Sequence, residues 1–157
     1  MDGHETQEHF EALGNDIFQY FGLGCRNVSK LFVPEDYDFD AFFKAMYKFN
    51  SFINHHKYAN NYDYNKAVYL MSSMNLLDNG FLLLKEDQQF SSPIGTLFYE
   101  SYSSLSELKS TLQHRKDEIQ CIVGHQAFTD VEFGNTQKPQ LWDYADGVDT
   151  MTFLIEQ

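Results

Sequence analysis

The chain has 157 residues, 43% hydrophobic and 17% aromatic, a composition that excludes an unstructured segment and suffices for one buried core, so one domain over residues 1–157 is expected. A formal net charge of −12, with 11 Lys and Arg against 23 Asp and Glu, argues against nucleic acid as partner, because no cation cluster exists to displace counterions from phosphates. Two cysteines make no disulfide framework, Met1-Asp2-Gly3-His4-Glu5 has no signal-peptide character, and no apolar run nears the ~20 residues a membrane span needs. A cytoplasmic protein without a membrane span is therefore expected.

In chain order, Phe10, Leu13, Ile17 and Phe21 recur at helical spacing within Glu5–Tyr20, predicting an amphipathic helix that ends at Gly22. Leu31-Phe32-Val33, closed by Pro34, reads as a short buried strand. Phe39, Phe42, Phe43, Met46, Phe49 and Ile53 predict a second helix from Phe39 to about Phe52, with Asp36 or Asp38 as N-cap. The polar run Asn60-Asn61-Tyr62-Asp63-Tyr64-Asn65 reads as a turn-rich break before a helix from Lys66 to Met74. Phe81–Leu84 and Thr96–Tyr99 are predicted strands separated by a Ser-Ser-Pro turn. Ser104 with Glu107 has the spacing of a capping box, and Leu105, Leu108, Leu112 and Ile119 sustain the helix behind it. Cys121-Ile122-Val123 reads as a buried strand ended by Gly124. Helices alternating with short apolar strands predict an α/β sheet with helices on both faces.

The chemistry concentrates in Gly22-Leu23-Gly24-Cys25-Arg26-Asn27. A thiol between glycines, just past a helix end, reads as a nucleophile on a turn whose N–H groups can approach a carbonyl closely. An inert structural cysteine is the plainer alternative. Arg26 and Asn27 are candidates to lower the thiol pKa or to contact substrate, or else belong to an ordinary hydrogen-bonded turn. Cys121, in an apolar run, reads as core. The six histidines show no i,i+4 pair beside a cysteine or carboxylate set, so no metal site is expected. The stretch Tyr58–Tyr69 reads either as the lining of an acyl tunnel or as half-buried surface. Asp143, Asp146 and Asp149 recur every three residues, as on a solvated or docking face of a C-terminal helix. No Gly-x-Ser-x-Gly elbow, P-loop or Gly-x-Gly-x-x-Gly turn is present.

Gly22, Cys25, Ser29, Lys30 and Val33 fall in register with the pattern Gly-Gln-x-Cys-x-x-x-Ser-Arg-x-x-Val, and the chain resembles the aldehyde dehydrogenase superfamily around its catalytic cysteine. Leu23 and Lys30 stand where that family has Gln and Arg. Gly80–Leu84 and Ser91–Leu97 are similar to its strand and Glu-x-Phe-Gly-Pro-Val segment. Phe133-Gly134, Pro139 and Gly147 are similar to its C-terminal Phe-Gly-Gly loop and trailing helix. Phe18–Lys30 and Asp143–Thr150 look most like acyl-CoA reductases related to the fatty-acid reductase of bacterial bioluminescence.

The resemblance implies the catalytic half of such an enzyme. Cys25 would attack a fatty acyl-CoA thioester, and the acyl-enzyme would take hydride from NADP(H) or NAD(H) to release aldehyde. Gly22, Gly24, Arg26 and Asn27 would form the oxyanion turn, Phe133 and Gly134 would line the substrate, and Gln89 falls where the family glutamate holds the nicotinamide ribose. The nucleotide-binding half lies outside this sequence and is expected in cis or in trans. Coenzyme A phosphates would lean on that half or on His55-His56-Lys57. A homo-oligomer is compatible with this reading, and a non-catalytic interaction module is the rival one.

Overall fold

The computed structural model describes residues 1–144 and 147–156. Its centre is a four-stranded mixed sheet of β1 (Lys30–Pro34), β2 (Leu77–Asp78), β3 (Leu83–Glu86) and β4 (Thr96–Tyr102), in the order β1-β4-β3-β2. β4 runs parallel to both neighbours, with Lys30 opposite Phe98 and Leu84 opposite Leu97, whereas β2 pairs antiparallel to β3. Side chains alternate across the pleat. One face therefore carries Leu31, Val33, Leu84 and Leu97, and the other carries Lys30, Phe32, Lys85 and Phe98.

The first face is covered by α1 (Gln7–Phe18) and α2 (Asp40–Met46). Phe10, Leu13, Ile17 and Phe18 from α1 meet Phe42 and Met46 from α2 over the strand leucines. The other face is bordered by α4 (Leu105–His114), which buries Leu108 and Leu112 beside β4. Helices thus lie on both sides of a mixed sheet, as the alternation of elements predicts.

Several boundaries differ from expectation for identifiable reasons. α1 starts at the Thr6 cap, whose side chain accepts from the His9 N–H while His9 Nδ1 accepts from the Thr6 N–H. It stops at Phe18 because Tyr20 and Phe21 turn left-handed, with φ of 55° and 60°. Phe21 stacks on the His55 ring at 4.1 Å instead of continuing the apolar stripe. α2 is short and passes into a 3₁₀ segment, Tyr47–Asn54, and Phe39 stands at its N-cap, although the Asp38 carboxylate accepts from the Asp40 N–H.

The expected break at Asn60–Asn65 is instead the middle of α3 (His56–Met71). Its polar side chains find partners that leave the helical backbone intact: Asn61 donates to the Lys57 carbonyl and Asn65 to the Ile94 carbonyl. Tyr58, Tyr62 and Asn65 form the buried face. Ser104 caps α4 through the Glu107 N–H, but the Glu107 carboxylate takes the Ser103 hydroxyl, so the box is not reciprocal. The helix ends before Ile119.

The expected strand Cys121–Val123 is an irregular loop. Ile122 folds back on its own neighbourhood, donating to the Asp130 carboxylate and accepting from the Asp130 and Val131 N–H groups, so its backbone never reaches the sheet. The expected helix carrying Asp143, Asp146 and Asp149 is also corrected. α5 (Thr150–Ile155) begins only after Asp149, which is its N-cap, and Asp143 sits in a turn accepting from the Gln140 N–H. Asp146 lies outside the described residues.

The C-terminal segment is attached through Asp16, which is 1% exposed on α1. Its carboxylate accepts from the Gly134 N–H (2.6 Å), the Thr136 N–H (3.1 Å) and the Thr136 hydroxyl (2.8 Å). Gly134 has φ +85°, and a Cβ there would press to 3.2 Å from the Ala12 Cβ. A buried carboxylate is tolerable only when its lone pairs are satisfied, and removing it leaves buried donors without an acceptor. Asp16→Ala is expected to cost roughly 3 kcal/mol of stability, seen as a lower urea midpoint. An unchanged midpoint would contradict the role given to this carboxylate.

Candidate functional site

Cys25 is exposed on a tight turn that α1 delivers and β1 removes. The Asn27 N–H closes the turn on the Gly24 carbonyl at 3.1 Å, and the Val28 N–H then bonds the Asp16 carbonyl at 3.0 Å. Gly22 completes the left-handed run at φ +72°. At Gly24 the Gln137 side-chain amide packs close, and a Cβ there would lie 2.4 Å from Gln137 Nε2 and push that amide aside. The Cys25 and Arg26 N–H groups donate to no acceptor among the described residues, so both remain available to a ligand oxygen.

Arg26 fixes the outer side of the turn. Its guanidinium donates to the Asp143 carbonyl at 3.3 Å and lies 3.7 Å from the Asp143 carboxylate. Asn27 packs toward Gly22, with its Nδ2 3.8 Å from where a Gly22 Cβ would stand. Ser29 donates to the Phe90 carbonyl at 2.7 Å. Lys30 is paired with Glu100 and sits over the rings of Phe32 (4.8 Å) and Phe90 (5.1 Å), so its charge is engaged within the sheet face.

Beside Cys25 a cavity of about 340 Å³ opens between the second face of the sheet, α4 and the loop following α4. This is a volume typical of small-molecule sites. Leu105, Leu108 and Leu112 form one wall at i, i+3 and i+7, Phe32 and Phe90 the sheet side, and Ile119 to Phe133 the loop side. Cys121 lines the same cavity. Burial pushes its thiol up to about 11, although the Arg26 charge opposes the shift.

The sequence-predicted site residues thus separate into groups. Cys25, Arg26, Asn27 and Phe133 border the cavity. Gly22 and Gly24 shape its turn without lining it. Gly134 does not line it either, because its N–H is committed to Asp16. Gln89 is exposed in the β3–β4 loop, with its N–H on the Asp87 carboxylate, and is not part of the lining. The two β-to-α connections, Glu35–Phe39 and Ser103–Ser104, contain no glycine, so the described residues form no dinucleotide cradle there.

Tyr58 and Tyr62 are buried away from the cavity, donating to the Phe81 carbonyl and the Asp78 carboxylate. The latter bond and burial push Tyr62 up to about 12. Among the described residues no three His, Cys, Asp or Glu side chains gather as metal ligands. His9 and His125 instead pack against each other with ring centres 4.3 Å apart and planes tilted by 50°. Asp16 and Thr136 were missed from the sequence. The available signal was Asp16 falling on the apolar stripe, three residues after Leu13.

No protein family matches the chain, and no curated protein matches it. Nor is any described helix long and apolar enough to cross a membrane.

Iodoacetamide at neutral pH is expected to alkylate Cys25 far faster than Cys121. Cys121 labelling should climb with pH towards about 11, where its thiolate forms. Equal labelling at neutral pH, measured by peptide mass spectrometry, would contradict this difference.

Proposed function

We propose that this chain is the acyl-accepting part of an acyl-CoA reductase of the aldehyde dehydrogenase superfamily, with Cys25 as nucleophile. The observation that carries the reading is an exposed thiol on a turn whose Cys25 and Arg26 N–H groups find no acceptor among the described residues, at the edge of a cavity of mixed polar and apolar lining with a leucine stripe on one wall. The Cys25 thiolate attacks the thioester carbonyl, and the C=O π electrons move to oxygen. The N–H groups of Cys25 and Arg26 face that oxyanion, and one such donor is worth about 3–4 kcal/mol in acyl transfer. Collapse of the tetrahedral species breaks the bond to the coenzyme A sulfur and leaves the acyl group on Cys25.

Reduction of the acyl-enzyme to aldehyde uses NADPH or NADH. In this reading a separate nucleotide-binding unit, in cis or in trans, supplies that nucleotide, and no step at it is assigned to this chain. The acidic composition and the thiol chemistry suit a reducing cytoplasm.

A second reading, a non-catalytic interaction module, is favoured by the exposed apolar run Leu141, Trp142, Phe153, Leu154 and Ile155. Intact-mass spectrometry after incubation with a long-chain acyl-CoA separates the two. One acyl group per chain is expected, absent in Cys25→Ser, with no aldehyde formed when NADPH is added. Equal acylation of Cys25→Ser, or none in a protein with native circular dichroism, would favour the module. Steady aldehyde production by the 157-residue chain alone would contradict the need for a second unit.

A further inference from the structure

We infer that the acyl tail of the substrate lies in the cavity between α4 and the sheet, and that the leucine stripe of α4 sets the chain length accepted. The inference rests on the reading of Cys25 as acyl acceptor, but it concerns a different part of the molecule. The sequence offered Tyr58–Tyr69 as a tunnel, and that stretch is now spoken for. Its inward tyrosines are hydrogen-bonded to the Phe81 carbonyl and the Asp78 carboxylate and do not line the cavity that Cys25 borders.

The α4 cavity is the space that Cys25 itself borders. Its charged neighbours are already engaged: Arg26 with Asp143, Lys30 with Glu100, and Glu118 with Arg115. Asp2 accepts from the His4 N–H and the Gln126 side chain, and Glu5 accepts from the Asp2 and Gly3 N–H groups and the Tyr37 hydroxyl. An anionic ligand that recruited Arg26 or Lys30 would have to break its ion pair. A neutral aliphatic chain laid along the α4 wall displaces water from Leu105, Leu108, Leu112, Phe32 and Phe90 surface, which is favourable in proportion to the apolar area covered.

The leucines also give the site a measure of length. Leu105 is 37% exposed, while Leu108 and Leu112 are 6% and 5% exposed. The stripe therefore runs from a solvent-facing end into the interior, and a chain lying along it buries successive methylenes against successive leucines. Each methylene so buried tightens binding about four-fold, until the cavity is filled and further carbons remain in water.

The test uses unreactive neutral ligands, so that it does not depend on thioester chemistry. Saturated primary alcohols from octanol to tetradecanol are titrated against the protein and against Cys25→Ser, by displacement of a fluorescent fatty-acid probe. Affinity is expected to rise with length and then level off, equally in both proteins. Leu105→Trp, at a partly exposed position where the larger side chain can be accommodated, should move the plateau to shorter chains. Leu112→Ala should move it to longer ones. The same shifts should appear in the rates at which acyl-CoAs of graded length acylate Cys25.

A length-independent affinity would overturn the inference, as would an unchanged profile in Leu105→Trp with native circular dichroism. Acylation of Cys25 with an unshifted profile refutes the tail site alone. Alcohol binding with the expected shifts, but no acylation of Cys25, refutes the thioester reading and leaves the tail site standing.

Discussion

One buried carboxylate joins the two ends of this chain. Asp16 lies inside α1, between apolar positions that face the sheet, and reaches Gly134 and Thr136 across sequence separations of 118 and 120 residues. Thr136 is itself fully buried, so the contact is a closed polar knot within the core rather than a surface bridge. Burying a charge carries a large desolvation penalty, offset here by three donors converging on two oxygens. With Gly134 and Thr136 held, Phe133 is set into the cavity wall, Gln137 against Gly24, and Asp143 within reach of Arg26. The turn that presents Cys25 is thus enclosed from behind by α1 and from the side by the C-terminal segment.

The net charge of −12 hides how the few cations are used. Lys30, Lys85 and Arg115 each sit over aromatic rings on the second face of the sheet, and each is also paired with a carboxylate. Their long stems cover apolar surface while the heads are neutralised. Of these three, Lys30 borders the cavity, as does Arg26, which is paired with Asp143. The two cysteines on the cavity differ in exposure: Cys25 faces water on a turn, whereas Cys121 is half-buried in a loop, where burial raises its pKa against the opposing charge of Arg26.

Much of the scaffold was legible in the sequence because it follows from local rules. The α1 stripe, the β1 run ended by Pro34 and the Ser104 cap depend on neighbours within a few residues. Of α3, the part from Lys66 to Met71 was legible but the part before it was not, because Asn disfavours a helix only when its side chain competes for the helix backbone, and here Asn65 is drawn off by the Ile94 carbonyl. Cys121–Val123 has the hydrophobicity of a strand, but the Ile122 N–H goes to the Asp130 carboxylate and Val123 makes only an isolated bridge to Val131, so the segment does not join the sheet. The turn around Cys25 could be read from its glycines. The cavity could not, since its walls come from segments as far apart as Cys25, Leu112 and Phe133, and the long-range contacts that assemble them, Asp16 with Gly134 and Thr136, Gln126 with Asp2 and Arg26 with Asp143, follow no motif.

The central claim is that Cys25 takes an acyl group whose tail occupies the α4 cavity. A crystal structure of the chain acylated by a long-chain acyl-CoA tests it most directly. The account predicts a thioester at Cys25 Sγ, its carbonyl oxygen directed at the Cys25 and Arg26 N–H groups, and the aliphatic chain running along Leu105, Leu108 and Leu112. An acyl group on Cys121, or a chain on Cys25 that leaves the cavity empty and lies in solvent, would contradict it.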